Sequence, residues 1–110
     1  MGIANYPWAV ALMPRGEKNL ITDVPGVLVG QVTLSGNGAE TGVTAILPHA
    51  GNLFRSKVPA AAHTINGFGK SAGLIQIQEL GNIETPIVMT NTFGVGTAVN
   101  GVVTHMLEQN

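Results

Sequence analysis

The sequence predicts a mixed α/β fold of the α+β kind, and three observations carry that prediction. Apolar and polar residues alternate from Val27 to Leu34, and a second strand-like run from Gly42 to Leu47 follows an Asn37-Gly38 pair. Ile87 to Thr90 is a short apolar run of strand type, followed by a turn rich in Asn, Thr and Gly at 91–97. Beyond it, Ala98 to Gln109 has helical spacing. Period two means a strand with a buried face, and period 3.6 means an amphipathic helix.

At 110 residues the chain suits one small domain. Charged residues make up 10% of it, against 45% hydrophobic, where a typical soluble domain carries about 25% charged residues. A small domain has much surface to keep wet. The deficit therefore predicts that part of this surface is covered, by further chain or by other subunits. A net charge of −1 suggests neither nucleic acid nor an anionic membrane as partner. Without cysteine, the chain has no disulfide, thiolate metal site or Cys nucleophile. No apolar run approaches a membrane span, and Tyr6 to Met13, interrupted by Pro7, is a poor signal peptide. A cytoplasmic protein is the default expectation.

Taken in order, residues 1–18 read as an irregular arm and 19–110 as the domain. Pro7, Pro14 and Gly16 break any helix in the arm, and Trp8 is expected to anchor it by packing. Pro25-Gly26 marks a type II turn, with Asp23 as a turn former. The two alternating runs are expected to pair as an antiparallel hairpin across Asn37-Gly38. Pro48 to Pro59 is a longer loop. Ala60 to Phe68 is read as extended. Ser71 to Leu80 is read as a strand, because Ile75 and Ile77 alternate with Gln76 and Gln78 between Gly73 and Gly81. A helix that puts Leu74, Ile77 and Gln78 on one face is the competing reading. In the last helix Val99, Val102, Val103, Met106 and Leu107 form one stripe. Thr97 is the preferred N-cap, with Thr92 as the alternative.

Few residues carry chemistry on their own. His49, His63 and His105 stand apart and do not have metal-ligand spacing. Arg55 and Lys57 are two loop cations that read as solvated. Glu79 and Glu84 read as loop acids rather than a working carboxylate pair. Gly94-Val95-Gly96-Thr97 resembles a dinucleotide-binding turn, but Val99 stands where a third Gly is needed and no acidic residue follows at the right distance. Ser71, Thr90, Thr92 and Thr97 are hydroxyls with no base near them in sequence.

The pattern as a whole resembles one family. Asn19-Leu20-Ile21-Thr22-Asp23-Val24-Pro25-Gly26-Val27, then Val29-Gly30 and Thr41-Gly42-Val43-Thr44-Ala45-Ile46-Leu47-Pro48, are similar to the opening of the autoprocessing aminopeptidases. These are the L-aminopeptidase/D-amidase-esterases and β-peptidyl aminopeptidases. The series continues through Asn66-Gly67-Phe68-Gly69-Lys70-Ser71-Ala72-Gly73-Leu74, Glu79-Leu80-Gly81 and Glu84-Thr85-Pro86-Ile87. It closes on Thr90-Asn91-Thr92 and Val95-Gly96-Thr97, so residues 19–107 match in one colinear run.

The resemblance implies the N-terminal portion of a four-layer αββα sandwich. It implies a precursor that cuts itself into α and β chains and frees a Ser or Thr whose α-amino group acts as general base. That residue attacks the carbonyl of a substrate's first amino acid, with no cofactor and no metal. The partners implied are a peptide or amino-acid amide substrate, the remaining α chain, the β chain, and further copies in a homo-oligomer. The nucleophile, the oxyanion-hole Asn and the acidic residue that receives the substrate's amino group have no match in these 110 residues. The segment is therefore expected to be inactive alone. Phe93-Gly94 also departs from the family pattern and predicts a looser turn. The candidate substrate-binding residues are Asn91 and Thr92 at the strand end, then Asn66, each of which is also an ordinary turn or cap former. Two other readings stay open: a non-catalytic scaffold of the same fold, and a relative of the ornithine-type acetyltransferases.

Overall fold

The computed structural model describes residues 14–110, so Trp8 and the Tyr6–Met13 patch lie outside the described residues. The elements are β1 (Leu28–Gly36), β2 (Ala39–Leu47), β3 (Val58–Pro59), α1 (Leu74–Leu80), β4 (Asn82–Ile83), β5 (Ile87–Met89) and α2 (Val95–Gln109). Single 3-10 turns stand at Ile21–Asp23 and Thr92–Gly94. A three-stranded antiparallel sheet has the order β1-β2-β5, and β3 pairs with β4 in a separate small ribbon. The described residues form an α/β unit, with antiparallel sheets and two α-helices.

The hairpin forms as the alternation predicts. Leu28 pairs with Leu47 and Gly36 with Ala39, so Asn37-Gly38 is a two-residue connection. Both residues have positive φ, 52° and 81°. That is the type I′ geometry whose twist matches the strands it joins. Upstream, the Val27 N–H bonds the Val24 carbonyl at 3.2 Å and Gly26 has φ 88°, the expected type II turn. The register puts Leu28, Val32 and Leu34 on one face with Val43, Ala45, Leu47 and Val88.

Residues 71–80 depart from the strand prediction. Leu74 to Leu80 is helix, entered from Gly73 at φ 89° and closed by Gly81 at φ 65°. The Gly81 N–H bonds the Ile77 carbonyl at 2.8 Å. A glycine in the left-handed region is a helix-ending signal. The bracketing glycines thus mark the two ends of a helix, whereas the sequence reading took them for strand boundaries. The competing reading is correct in kind: Leu74 and Ile77 are half-buried and Ile75 is 77% exposed, although Gln78, placed with them, is exposed and Gln76 is half-buried.

Ala60 to Phe68 also departs from prediction. Regular pairing is confined to Val58–Pro59, and 61–70 is exposed throughout without helix or strand. The last helix begins earlier than expected, at Val95, and neither Thr97 nor Thr92 caps it. Asn91 does the capping instead, one turn upstream, through the 3-10 turn that leads into α2. Only part of the predicted stripe is covered: Val102 and Met106 are half-buried, while Val103 and Leu107 are exposed.

The loop after β2 secures the far end of α2. Asn52 Nδ2 donates to the Gln109 carbonyl and to Asn110 Oδ1, and Arg55 Nε donates to the same Oδ1 at 3.4 Å. Unpaired carbonyls and the negative end of the helix dipole gather there, so an amide and a guanidinium are favourable partners. Leu53, on this loop, is 2% exposed and is the one fully buried apolar side chain among the described residues. Large apolar side chains elsewhere stay open, including Ile65 at 90%, Phe68 at 92% and Phe93 at 98%. This is the surface that the charge deficit predicts to be covered by something else.

Candidate functional site

The strand–turn–helix at 87–109 is held by one side chain. Asn91 leaves β5 in an extended conformation, with φ −69° and ψ 167°. Its Oδ1 accepts from the Gly94 N–H at 2.7 Å, and its Nδ2 donates to the Thr41 hydroxyl at 3.1 Å. One amide therefore closes the turn that starts α2 and fastens that turn to β2, fifty residues away in sequence. Gly94 fits here because the Thr90 hydroxyl sits where a side chain would begin.

Beside this clasp, α2 and the sheet face enclose an open groove of about 610 Å³. Val32, Val43 and Val88 form its sheet wall, and Ala98, Gly101 and Val102 its helix wall. Small residues on α2 keep the helix close to the strands without filling the space. The polar groups divide between the clasp, with Thr41, Thr90, Asn91 and Thr97, and His105 further along α2. An apolar trough with a few placed hydrogen-bonding groups has the character of a binding groove. A second groove, about 570 Å³, lies between α1, β5 and the other side of α2, with Lys70 and Ser71 among its residues.

The sequence candidates fare differently. Asn91 lines the first groove, with both side-chain termini already engaged. Thr92 stands next to it in the exposed 3-10 turn and does not line either groove. Asn66 is elsewhere, its Oδ1 accepting from the Phe68 N–H at 3.2 Å in an exposed loop turn. The structure thus brings one of the three to the groove and leaves the other two apart. Thr41, which sequence reasoning passed over, is the missing partner. Its signal lies only in the Thr-Gly-Val-Thr run, because the residue it meets is remote in the chain.

Other side chains that looked chemical are engaged in support. His49 Nε2 donates to the Ser56 carbonyl at 2.8 Å, while its Nδ1 accepts from the Gly51 N–H at 3.1 Å, which pins the loop. His105 Nε2 lies 3.2 Å from the Gln109 amide nitrogen. Lys57 and Glu84, both read as solvated, form an ion pair at 3.0 Å, and the ammonium lies 4.0 Å from the centre of the Phe54 ring. Arg55 serves the α2 terminus. Asp23 accepts from the Lys18 and Leu20 N–H groups, the Lys18 bond most strongly holding its carboxyl below the ordinary aspartate range. No three His, Cys, Asp or Glu side chains gather as a metal site among the described residues. No hydroxyl of the clasp has a hydrogen-bonded His, Lys or carboxylate among them. The arrangement can bind and position, but it lacks a nucleophile–base pair.

Comparison with known proteins gives this architecture its relatives. The model of peptidase family S58 matches residues 19–110. A β-peptidyl aminopeptidase, BapA of Sphingosinicella microcystinivorans, is 41% identical over 97 residues, covering 80% of this chain and 24% of its own. Among solved structures, the PH0078 protein of Pyrococcus horikoshii OT3 superposes with a TM-score of 0.84 at 50% identity, over 93% of this chain and 31% of its own. A Burkholderia β-aminopeptidase superposes at 0.79 with 40% identity, over 91% of this chain and 30% of its own. The chain thus spans about a quarter of the length of the curated relative and under a third of each solved one.

Proposed function

The chain belongs to peptidase family S58, and on that footing we propose that it is the N-terminal segment of a self-cleaving aminopeptidase of the serine/threonine type. The complete protein would release N-terminal amino acids from peptides, amides or esters. The observation that carries this reading is the colinear match over 19–110 joined to two superpositions, one of them on a β-aminopeptidase. Within these 110 residues the site geometry supports a supporting role. The clasp and groove position, and the nucleophile with its α-amino base would come from chain beyond the matched third. Asn91 would line the substrate pocket through its placement of the 91–97 turn, with Thr92 beside it. Asn66 would contribute from its loop. The 110 residues alone would be inactive. The remaining α chain, the β chain and further copies in a homo-oligomer are the expected partners, in the cytoplasm. No cofactor is required in this reading, because an N-terminal Ser or Thr carries its own base.

The test is an assay of the complete polypeptide beside the 110-residue chain, on aminoacyl and β-aminoacyl anilides, with mass spectrometry of the products of self-cleavage. The expected result is hydrolysis and two fragments from the former and neither from the latter. An intact, inactive complete polypeptide would leave the scaffold reading in its place. Transfer of an acetyl group in preference to hydrolysis would favour the acetyltransferase relative.

A further inference from the structure

The sequence holds three Asn-Gly pairs, at Asn37-Gly38, Asn66-Gly67 and Asn100-Gly101. Such a pair can modify itself without an enzyme. A glycine nitrogen is uncrowded and can close a five-membered ring on the preceding asparagine's side-chain carbonyl. All three asparagines are exposed among the described residues, so exposure does not rank them. Their hydrogen bonds do. In α2 the helix commits the Gly101 N–H to the Thr97 carbonyl, and ring closure at Asn100 must first break that bond. At the hairpin, pairing of Gly36 with Ala39 clamps Asn37 and Gly38 in their type I′ turn. The nearby donors there, the Ser35 hydroxyl and the Gly36 N–H, are both taken by the Glu40 carboxylate. Asn66 is different. Its Oδ1 accepts from the Phe68 N–H at 3.2 Å, reaching past Gly67. This Asx turn folds the side chain back along its own following peptide and so brings Cγ beside the Gly67 nitrogen.

We propose that Asn66 is a self-modification site, which converts to aspartate and isoaspartate ahead of the other two Asn-Gly pairs. The step balances without a co-reactant other than water. Solvent base takes the Gly67 amide proton, and the nitrogen adds to Asn66 Cγ. Negative charge then grows on Oδ1, the atom to which the Phe68 N–H already donates. A donor placed where charge develops lowers the barrier, as in an oxyanion hole. The bond from Cγ to Nδ2 breaks, ammonia leaves, and a succinimide ring joins positions 66 and 67. Water opens that ring on either side. Attack at Cγ gives aspartate, and attack at the main-chain carbonyl gives isoaspartate. Both products add a negative charge to a loop where Lys70 is the nearest ionisable side chain in sequence after Asn66. Isoaspartate also lengthens the main chain by a methylene and dissolves the Asx turn. The inference does not rest on the peptidase reading, because it uses only bonds within residues 66–68 and within the two comparison sites.

The three sites make an internal comparison. The complete polypeptide is incubated in mildly alkaline buffer, and peptide mapping by mass spectrometry follows aspartate and isoaspartate at positions 37, 66 and 100. Asn66 should convert first. Asn37, without the directed donor, should trail it by about threefold to fivefold, and Asn100 by about tenfold or more, because α2 must open locally before its ring can close. In concentrated urea the turn, the hairpin and the helix are lost, and the three rates should agree within about twofold. Phe68→Pro removes the N–H that serves Oδ1 and should slow Asn66 about fivefold in buffer, whereas Phe68→Ala keeps that N–H and should stay within about twofold of wild type. In urea Phe68→Pro should lose its effect, which separates the hydrogen bond from a local influence of proline. Conversion led by Asn37 or Asn100, or none at Asn66, would overturn the proposal. So would an ordering that persists unchanged in urea, or a Phe68→Pro rate equal to wild type in buffer.

Discussion

Replacing Asn91 with Ala removes two bonds at once, and their separate worth can be worked out. The Oδ1 bond to the Gly94 N–H is a cap, and loss of a good cap costs about 1 kcal/mol. The Nδ2 bond to Thr41 is a neutral cross-link between elements, worth about 0.5–1.5 kcal/mol. Both groups are exposed and water replaces part of each bond, so about 1–2 kcal/mol is expected in total. The local readout is amide exchange at Gly94, which should quicken between about fivefold and thirtyfold. Asn91→Asp keeps an acceptor for Gly94 and can accept from the Thr41 hydroxyl in turn, so it should stay near wild type. Thr41→Val alone should lose only the second part, and its cycle with Asn91→Ala should return a coupling of about 0.5–1 kcal/mol. In the complete polypeptide, Asn91→Ala should lower both self-cleavage and aminopeptidase activity, and Asn91→Asp should restore them. Exchange at Gly94 unchanged in Asn91→Ala would refute the clasp. Activity unchanged despite faster exchange would reduce Asn91 to a turn former.

Three further outcomes are expected. Gly94→Ala should destabilise by about 1–3 kcal/mol although its backbone is right-handed and alanine favours helix, because the new methyl meets the Thr90 hydroxyl; adding Thr90→Ala should relieve it, as amide exchange along 92–98 would report. The Asp23 carboxyl is held below its ordinary value of 3.8 by the Lys18 and Leu20 amides. Its contribution is therefore present at neutral pH and is lost as pH falls through the lowered value, so the Lys18 amide shift should titrate with a midpoint below 3.8, and Asp23→Asn should abolish that titration. Glu84→Gln should cost less than about 1 kcal/mol, because the pair with Lys57 is partly exposed (38% and 28%), and the difference should shrink further in high salt.

How far the sequence was legible follows from how far apart the interacting residues lie. The hairpin was legible because its period, its Asn-Gly turn and its pairing all fall within twenty residues. The Ile87–Gln109 unit was legible in kind for the same reason. Residues 74–80 were misread because a seven-residue segment with Gln at alternate positions satisfies both periods, and glycine punctuates strands and helices alike. The start of α2 was misplaced because a 3-10 turn ahead of it moved the cap from Thr97 back to Asn91. The groove was the least legible part. Its walls come from β1, β2, β5 and α2, and the Thr41–Asn91 bond that sets its end spans fifty residues. No local pattern announces such a bond. Asn66 illustrates the converse: its Asx turn was readable as a turn, but a motif position says nothing about which cavity it joins.

Leu53 stands almost alone as a side chain sealed from water among the described residues, and this shapes how the chain should come apart. Cooperative melting requires elements that share buried contacts, so that none can leave without the others. Here the hairpin, α1 with its ribbon, and the α2 end held by Asn52 and Arg55 rest on hydrogen bonds at the surface rather than on a shared buried interior. Calorimetry of the isolated polypeptide should therefore trace a broad, shallow endotherm with several overlapping steps. The β2–β5 pairing and the Asn91 clasp are then the seams along which those steps separate. A covering partner would sharpen the endotherm by giving the pieces a common interior.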